Sequence, residues 1–139
     1  MRERNKRGGF TLLEIIIVIV IVGTLASLAL PRFFTTIEFS KSIEAFMSLG
    51  TLRGAMERCY MATGDYNSCP LNKLDIEDPG SSPGSRFSYA LSGTATHTSY
   101  TIVATRNTID GGDGSSKITL TQTATGVTRS GTGKYAGIR

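Results

Sequence analysis

From Phe10 to Leu30 the chain runs through 21 residues with one charged side chain, Glu14. Wound as a helix, such a run is about 31 Å long, the thickness of a bilayer hydrocarbon core. Its other polar members, Thr11, Thr24 and Ser27, carry hydroxyls that can bond back to their own helix. Arg2, Arg4, Lys6 and Arg7 precede the run. Basic residues on that flank predict a cytoplasmic N-terminus, with everything after the span on the far side of the membrane. A span has no need of Glu14, and a carboxylate in hydrocarbon is costly, so the residue requires a reason of its own.

Without the leader and the span roughly 110 residues remain, enough for one modest core. The leader holds +3 of the formal net charge of +4. Phe10 to Arg139 is therefore close to neutral, and nucleic acid is not an expected partner. The polar part has no Trp and is rich in Gly, Ser and Thr, a composition suited to short strands and turns in an exported domain. Cys59 and Cys69 have no histidine nearby to complete a zinc site. If the span exports the polar part, they lie in an oxidising compartment and should pair, in a loop short enough to contribute about 2.5–3 kcal/mol. Two unpaired buried thiols are the alternative.

The N-terminal segment does not fit an ordinary secretory signal, which has an apolar core of about 7–15 residues followed by a small-residue cleavage site. Here the small residues, Gly8 and Gly9, come first, so cleavage after Gly9 would leave the hydrophobic helix on the mature protein. Gly9-Phe10-Thr11-Leu12-Leu13-Glu14, behind a basic leader and ahead of an apolar run, resembles the class III signal of type IV pilins and of the pseudopilins of type II secretion systems. The resemblance covers Met1 to about Gly64. It implies that a membrane-embedded aspartyl peptidase cuts between Gly9 and Phe10 and then N-methylates Phe10. It also implies a role for Glu14 as partner to the N-terminal amine of a neighbouring subunit. Removing one member of a buried ion pair costs about 3–5 kcal/mol, while the intact pair adds little net stability. Glu14 and Phe10 would then set the register of assembly; a glutamate that merely snorkels to the headgroups is the plainer reading.

Gly23 and Pro31 weaken the helix locally, Pro31 by removing a backbone donor and crowding the carbonyl four residues back. In the family, glycine and proline at such places bracket a stretch that can lose helicity in filaments. A harmless kink at the membrane exit is an equal reading.

From Arg32 the pattern turns amphipathic. Phe39, Ile43, Phe46, Met47, Gly50 and Gly54 follow a 3-and-4 spacing, as do Ala45, Leu49, Leu52, Met56 and Cys59. Glu38, Lys41, Arg53 and Glu57 are assigned outward positions, with Arg53 and Glu57 an i,i+4 pair. Two stripes suit a helix with a sheet on one side and sibling helices on the other; one wide core stripe is the alternative. Close approach of the sheet would account for Gly50 and Gly54, each unfavourable in a helix by about 1 kcal/mol. The helix should end near Gly64 as its C-cap.

A turn-rich connector comes next, and then alternating runs. These are Phe87, Tyr89 and Leu91 within 86–91; Tyr100, Ile102 and Ala104 within 99–105; Ile118 and Leu120 within 117–122; and a fourth, edge strand expected over 127–135. The expected organisation is a leader at 1–9, a span at 10–30, an amphipathic helix at 31–63, a connecting loop at 64–86 and a β region at 87–139. The fold class is α+β, a long N-terminal helix packed on a three- or four-stranded antiparallel sheet, which is also the pilin fold.

Candidate chemistry outside the signal is sparse. His97 lies in a polar turn and is expected to be exposed without a role. Asp110 and Asp113 in a glycine-rich loop are a weak calcium candidate, since two carboxylates fall short of the 6–8 oxygens that ion takes. No catalytic constellation, metal site or cofactor is expected. The resemblance implies a homo-oligomeric helical filament, with a prepilin peptidase and methyltransferase, inner-membrane assembly machinery and, before assembly, membrane lipid as partners. The chain would be a single-pass inner-membrane precursor and then part of an extracellular or periplasmic filament. A pseudopilin of a secretion or DNA-uptake system is the runner-up, and a membrane-anchored binding module that never polymerises is the third.

Overall fold

The computed structural model describes residues 9–139. Apart from Gly9, the expected leader lies outside the described residues. One α-helix, α1, runs from Leu12 to Thr63 with Pro31 inside it, and the chain divides into two compact units between Thr36 and Ile37.

In the first unit the apolar side chains are exposed, Phe10, Leu12 and Leu28 among them. This is the part of a helix long and apolar enough to cross a membrane. The hydroxyls do bond back to their own helix: Thr24 Oγ1 donates to the Ile21 carbonyl at 2.8 Å and Ser27 Oγ to that of Thr24 at 2.7 Å. Helical assignment continues through both Gly23 and Pro31.

The second unit is built on a four-stranded antiparallel sheet, β1 (Phe87–Leu91), β2 (Tyr100–Arg106), β3 (Lys117–Thr123) and β4 (Gly126–Thr132), in the order β1-β2-β3-β4. The alternation read from the sequence sets the inner face, and the register lines it up: Tyr89 opposes Ala104 and Ile102 opposes Leu120. Ala45, Leu49, Leu52 and Met56 of α1 pack with Phe87, Ile102, Ile118 and Leu120 in one core. Of the other stripe, Phe46 packs partly buried against this core, while Phe39, Ile43 and Met47 stay exposed.

The helix ends at Thr63, where Gly64 adopts φ of 74° and its N–H bonds the Tyr60 carbonyl at 2.7 Å. That left-handed conformation carries little penalty only in glycine. The connector to β1 holds three short 3-10 helices, Tyr66–Ser68, Leu71–Lys73 and Pro79–Ser81.

Several expectations need correction. The fourth strand ends at Thr132, and Gly133–Tyr135 forms a 3-10 turn that carries Tyr135 into the core. Strand β2 extends to Arg106, whose side chain is 0% exposed. Glu38, assigned to the outward face, is buried, because Arg106 reaches it from the sheet. Neither glycine of the helix meets the sheet: a Cβ at Gly50 would have nothing within 4 Å, and at Gly54 only the Arg58 guanidinium at 3.5 Å.

Candidate functional site

The segment Gly9 to Glu14 is placed by the start of α1. Thr11 caps the helix, its Oγ1 accepting from the Glu14 N–H at 3.2 Å and its carbonyl from the Ile15 N–H at 3.3 Å. Leu12 is thus the first helical residue and Glu14 the third, so Thr11-Leu12-Leu13-Glu14 has capping-box spacing, with the threonine's half of the box formed. A carboxylate in this turn faces the unpaired N–H groups and the positive end of the helix dipole. The sequence reading passed over this local role, although the Thr-x-x-Glu pattern signals it.

Capping does not exhaust Glu14. The side chain is exposed, and among the described residues no cation lies within ion-pair distance. Phe10, one turn before it, is 80% exposed. Gly9 and Phe10 lie ahead of the helix, exposed and outside regular secondary structure.

Cys59 and Cys69 form a disulfide, with a Cα–Cα distance of 6.0 Å. It ties the last turns of α1 to the connector. Around it Tyr60 stacks on Tyr66 at 4.5 Å, Tyr66 meets Tyr100 edge-on at 4.7 Å, and the Tyr66 hydroxyl donates to Glu57 at 3.0 Å. Burial and that carboxylate push the Tyr66 phenol up to about 12. The expected Arg53–Glu57 pair is present but long, at 4.0 Å. His97 is mostly exposed, its Nδ1 3.9 Å from Asp65.

At the other end of the core lies a cluster of charges that the sequence reading missed. Arg106 donates to Glu38 at 2.6 Å, and its other nitrogens reach the carbonyls of Arg86 at 3.2 Å and Asn107 at 3.0 Å. Glu38 also receives the Tyr135 hydroxyl at 3.0 Å and the Lys41 ammonium at 3.2 Å. Burial raises the Glu38 pKa, but the bonds from Arg106, Lys41 and Tyr135 outweigh it and hold the carboxyl at about 2. Next to this group Arg86 bridges Glu44 at 3.1 Å and Asp110 at 2.8 Å. One signal was available: carried backward by fours and threes, the Met56-Leu52-Leu49-Ala45 stripe lands on Ser42 and Glu38, both buried.

The aspartates named as a calcium candidate are engaged separately. Asp110 pairs with Arg86, while Asp113 accepts from the N–H groups of Ser115 at 3.0 Å and Ser116 at 2.9 Å and from the Ser116 hydroxyl. Among the described residues no three His, Cys, Asp or Glu side chains are grouped to hold a metal ion.

An apolar helix that begins behind the Thr11 cap with Glu14 in its first turn, and whose later residues pack on an antiparallel sheet, defines a class, and comparison with known proteins agrees. The family model for the prokaryotic N-terminal methylation motif matches residues 4–30. The type IV major fimbrial protein FimA of Dichelobacter nodosus is 30% identical over 108 residues, 66% of this chain and 69% of that protein. Type II secretion system core protein G of Escherichia coli is 42% identical over 57 residues, 41% of this chain and 39% of that one. The type IV pilus subunit protein TapA of Aeromonas hydrophila is 34% identical over 65 residues, 47% of this chain and 46% of the relative. No solved structure matches the chain significantly. The chain belongs to the type IV pilin and pseudopilin family.

Proposed function

We propose that this chain is a structural subunit of a type IV pilus-like filament, inserted in the inner membrane as a precursor and polymerised through its apolar helix. The observation that carries the reading is the methylation motif over residues 4–30, whose large apolar side chains along α1, Leu12 to Leu30, are exposed among the described residues. Cleavage by a prepilin peptidase between Gly9 and Phe10 gives the mature N-terminus, and methylation follows on the Phe10 nitrogen. The new amine is cationic, and Glu14 of a neighbouring copy is its counter-charge. An incoming helix at any other axial position leaves a carboxylate in apolar packing, so the pair selects register more than it adds strength. Gly23 and Pro31 mark where the packed helix can unwind and lengthen, since extended chain spans about 3.3 Å per residue against 1.5 Å in helix. The subunit performs no reaction of its own; the chemistry done on it belongs to the peptidase and to the assembly machinery.

A second reading is a pseudopilin of a type II secretion system. The similarity to protein G over 57 residues supports it.

Mass spectrometry of sheared surface filaments tests the choice. A dominant species beginning at N-methyl-Phe10 is the result expected of a pilus subunit. Processed protein that stays out of surface filaments points to the secretion role, and unprocessed protein overturns both.

A further inference from the structure

The two sulfurs of the Cys59–Cys69 disulfide stand in different surroundings. Cys69 is 0% exposed. Cys59, in the last turns of α1, is half-buried and lines a groove of about 310 Å³. Ala55 and Ala62, one helical turn to either side of Cys59, keep the helix wall of that groove low, and Arg58, Lys73 and Asp75 stand around it. Asp75 is taken up by Arg58 through bonds of 2.6 and 2.8 Å. Lys73 is exposed and makes no ion pair among the described residues. The half-buried sulfur therefore has one uncompensated positive charge beside it.

Thiol–disulfide exchange begins when a thiolate reaches one sulfur from the side away from the other, so access decides which sulfur reacts. The packing around Cys69 offers no approach. The groove opens onto Cys59, and its charge draws an anion. Cys69 is also placed to be the leaving group, since Thr63 Oγ1 lies 3.6 Å from its sulfur and carries a proton it can donate to a thiolate.

From this asymmetry we propose that the groove is a thiol-exchange site, selective for Cys59 and for small anionic thiols. The thiolate of such a molecule attacks Cys59 Sγ. A bond forms between those two sulfurs, the Cys59–Cys69 bond breaks, and its electron pair leaves on Cys69 as a thiolate. A second small thiolate then attacks the adduct, leaves as the disulfide of the small thiol and releases Cys59 as a thiolate. Two electrons have passed to the protein, and both cysteines take protons from water. Oxidation by a small disulfide follows the same path in reverse. Cys59 takes the adduct, and the enclosed Cys69 expels it.

The test treats the oxidised full-length chain in detergent micelles, without denaturant, with glutathione. Samples are quenched at intervals with a fast alkylating agent and mapped by mass spectrometry. Glutathione on Cys59 with the alkyl group on Cys69 should exceed the opposite arrangement by about tenfold or more. Cys69→Ser and Cys59→Ser both lack the disulfide, so comparing them separates access from loss of the bond. With glutathione disulfide the first should take its adduct about tenfold faster than the second. Lys73→Glu should slow adduct formation by 2-mercaptoethanesulfonate about threefold more than by uncharged 2-mercaptoethanol. Adduct shared evenly between the two cysteines, equal rates in the two serine variants, no adduct short of denaturation, or the same effect of Lys73→Glu on both thiols overturns the proposal.

Discussion

Arg106 Nε lies 2.6 Å from Glu38 Oε1, and their sequence separation of 68 takes in the greater part of the outer domain. One partner is on the helix and the other at the end of β2. Tyr135, 97 residues from Glu38, closes the group from the C-terminal side. The cluster thus ties together the first, middle and last parts of the domain, at the end of the core opposite the disulfide.

A buried pair of this kind is costly to halve. Glu38→Ala or Arg106→Met should each lower stability by about 3–5 kcal/mol, because each strands a buried charge. Glu38→Leu combined with Arg106→Met should recover most of that loss. Urea midpoints of the full chain in detergent micelles measure it, and a double variant no better than the singles would contradict it.

The same cluster sets a dependence on pH. The Glu38 carboxyl is depressed to about 2 in the folded chain, against about 4.3 for a free glutamate. A depressed carboxylate contributes stability that is fully present above its unfolded pKa and disappears as pH falls through the folded one. At most about 3 kcal/mol should be lost as pH falls from about 4.3 to about 2. Asp113 is also lowered, by the hydroxyl and N–H of Ser116, and adds in the same direction. Glu38→Gln should flatten the acid limb of a plot of unfolding midpoint against pH.

The disulfide should matter to the domain's outer end. Cys59→Ser with Cys69→Ser should reduce stability by about 2.5–3 kcal/mol. Proteolysis should then open the connector first, around the 3-10 helices at Tyr66–Ser68 and Leu71–Lys73. Cleavage within β2 or β3 at the same protease dose would contradict that order.

Two glycines should respond in opposite senses to alanine. A Cβ at Gly112 would lie 1.8 Å from the Asn107 carbonyl oxygen and 2.7 Å from the Arg106 guanidinium carbon. Gly112→Ala must therefore push aside backbone and the buried arginine, and a loss of more than about 2 kcal/mol is expected. Gly50 is helical with open space at its Cβ, so Gly50→Ala should gain up to about 1 kcal/mol. Thermal unfolding of the two variants side by side checks the signs.

Glu14→Ala should insert and be processed like the parent and yet assemble poorly, because the amine of an incoming helix loses its counter-charge. The lost cap interaction, about 0.3–1 kcal/mol, is too small to stop helix formation. Normal filament yield from cells carrying Glu14→Ala or Glu14→Val would remove the register mechanism.

The chain revealed locally whatever repeats at short range. The alternation in β1, β2 and β3, the 3-and-4 spacing of Ala45, Leu49, Leu52 and Met56, and the stop at Gly64 all depend on neighbours within a few positions. Arg106 fell one residue past the expected strand, and Glu38 looked outward because a glutamate on a helix ordinarily is. The partners that bury them lie too far along the chain for any period to report.

The same division runs through the whole protein. By itself the sequence determined the apolar helix, its acidic start, the cysteine pair and the positions of the strands, because each is written in the composition or spacing of one segment. Only the tertiary structure decided that Glu38, Arg106 and Tyr135 meet, and that Phe46 leans on the core while Phe39, Ile43 and Met47 stay exposed. Those outcomes depend on which distant surfaces come together when the helix and the sheet bury their apolar faces, and no local pattern contains that information.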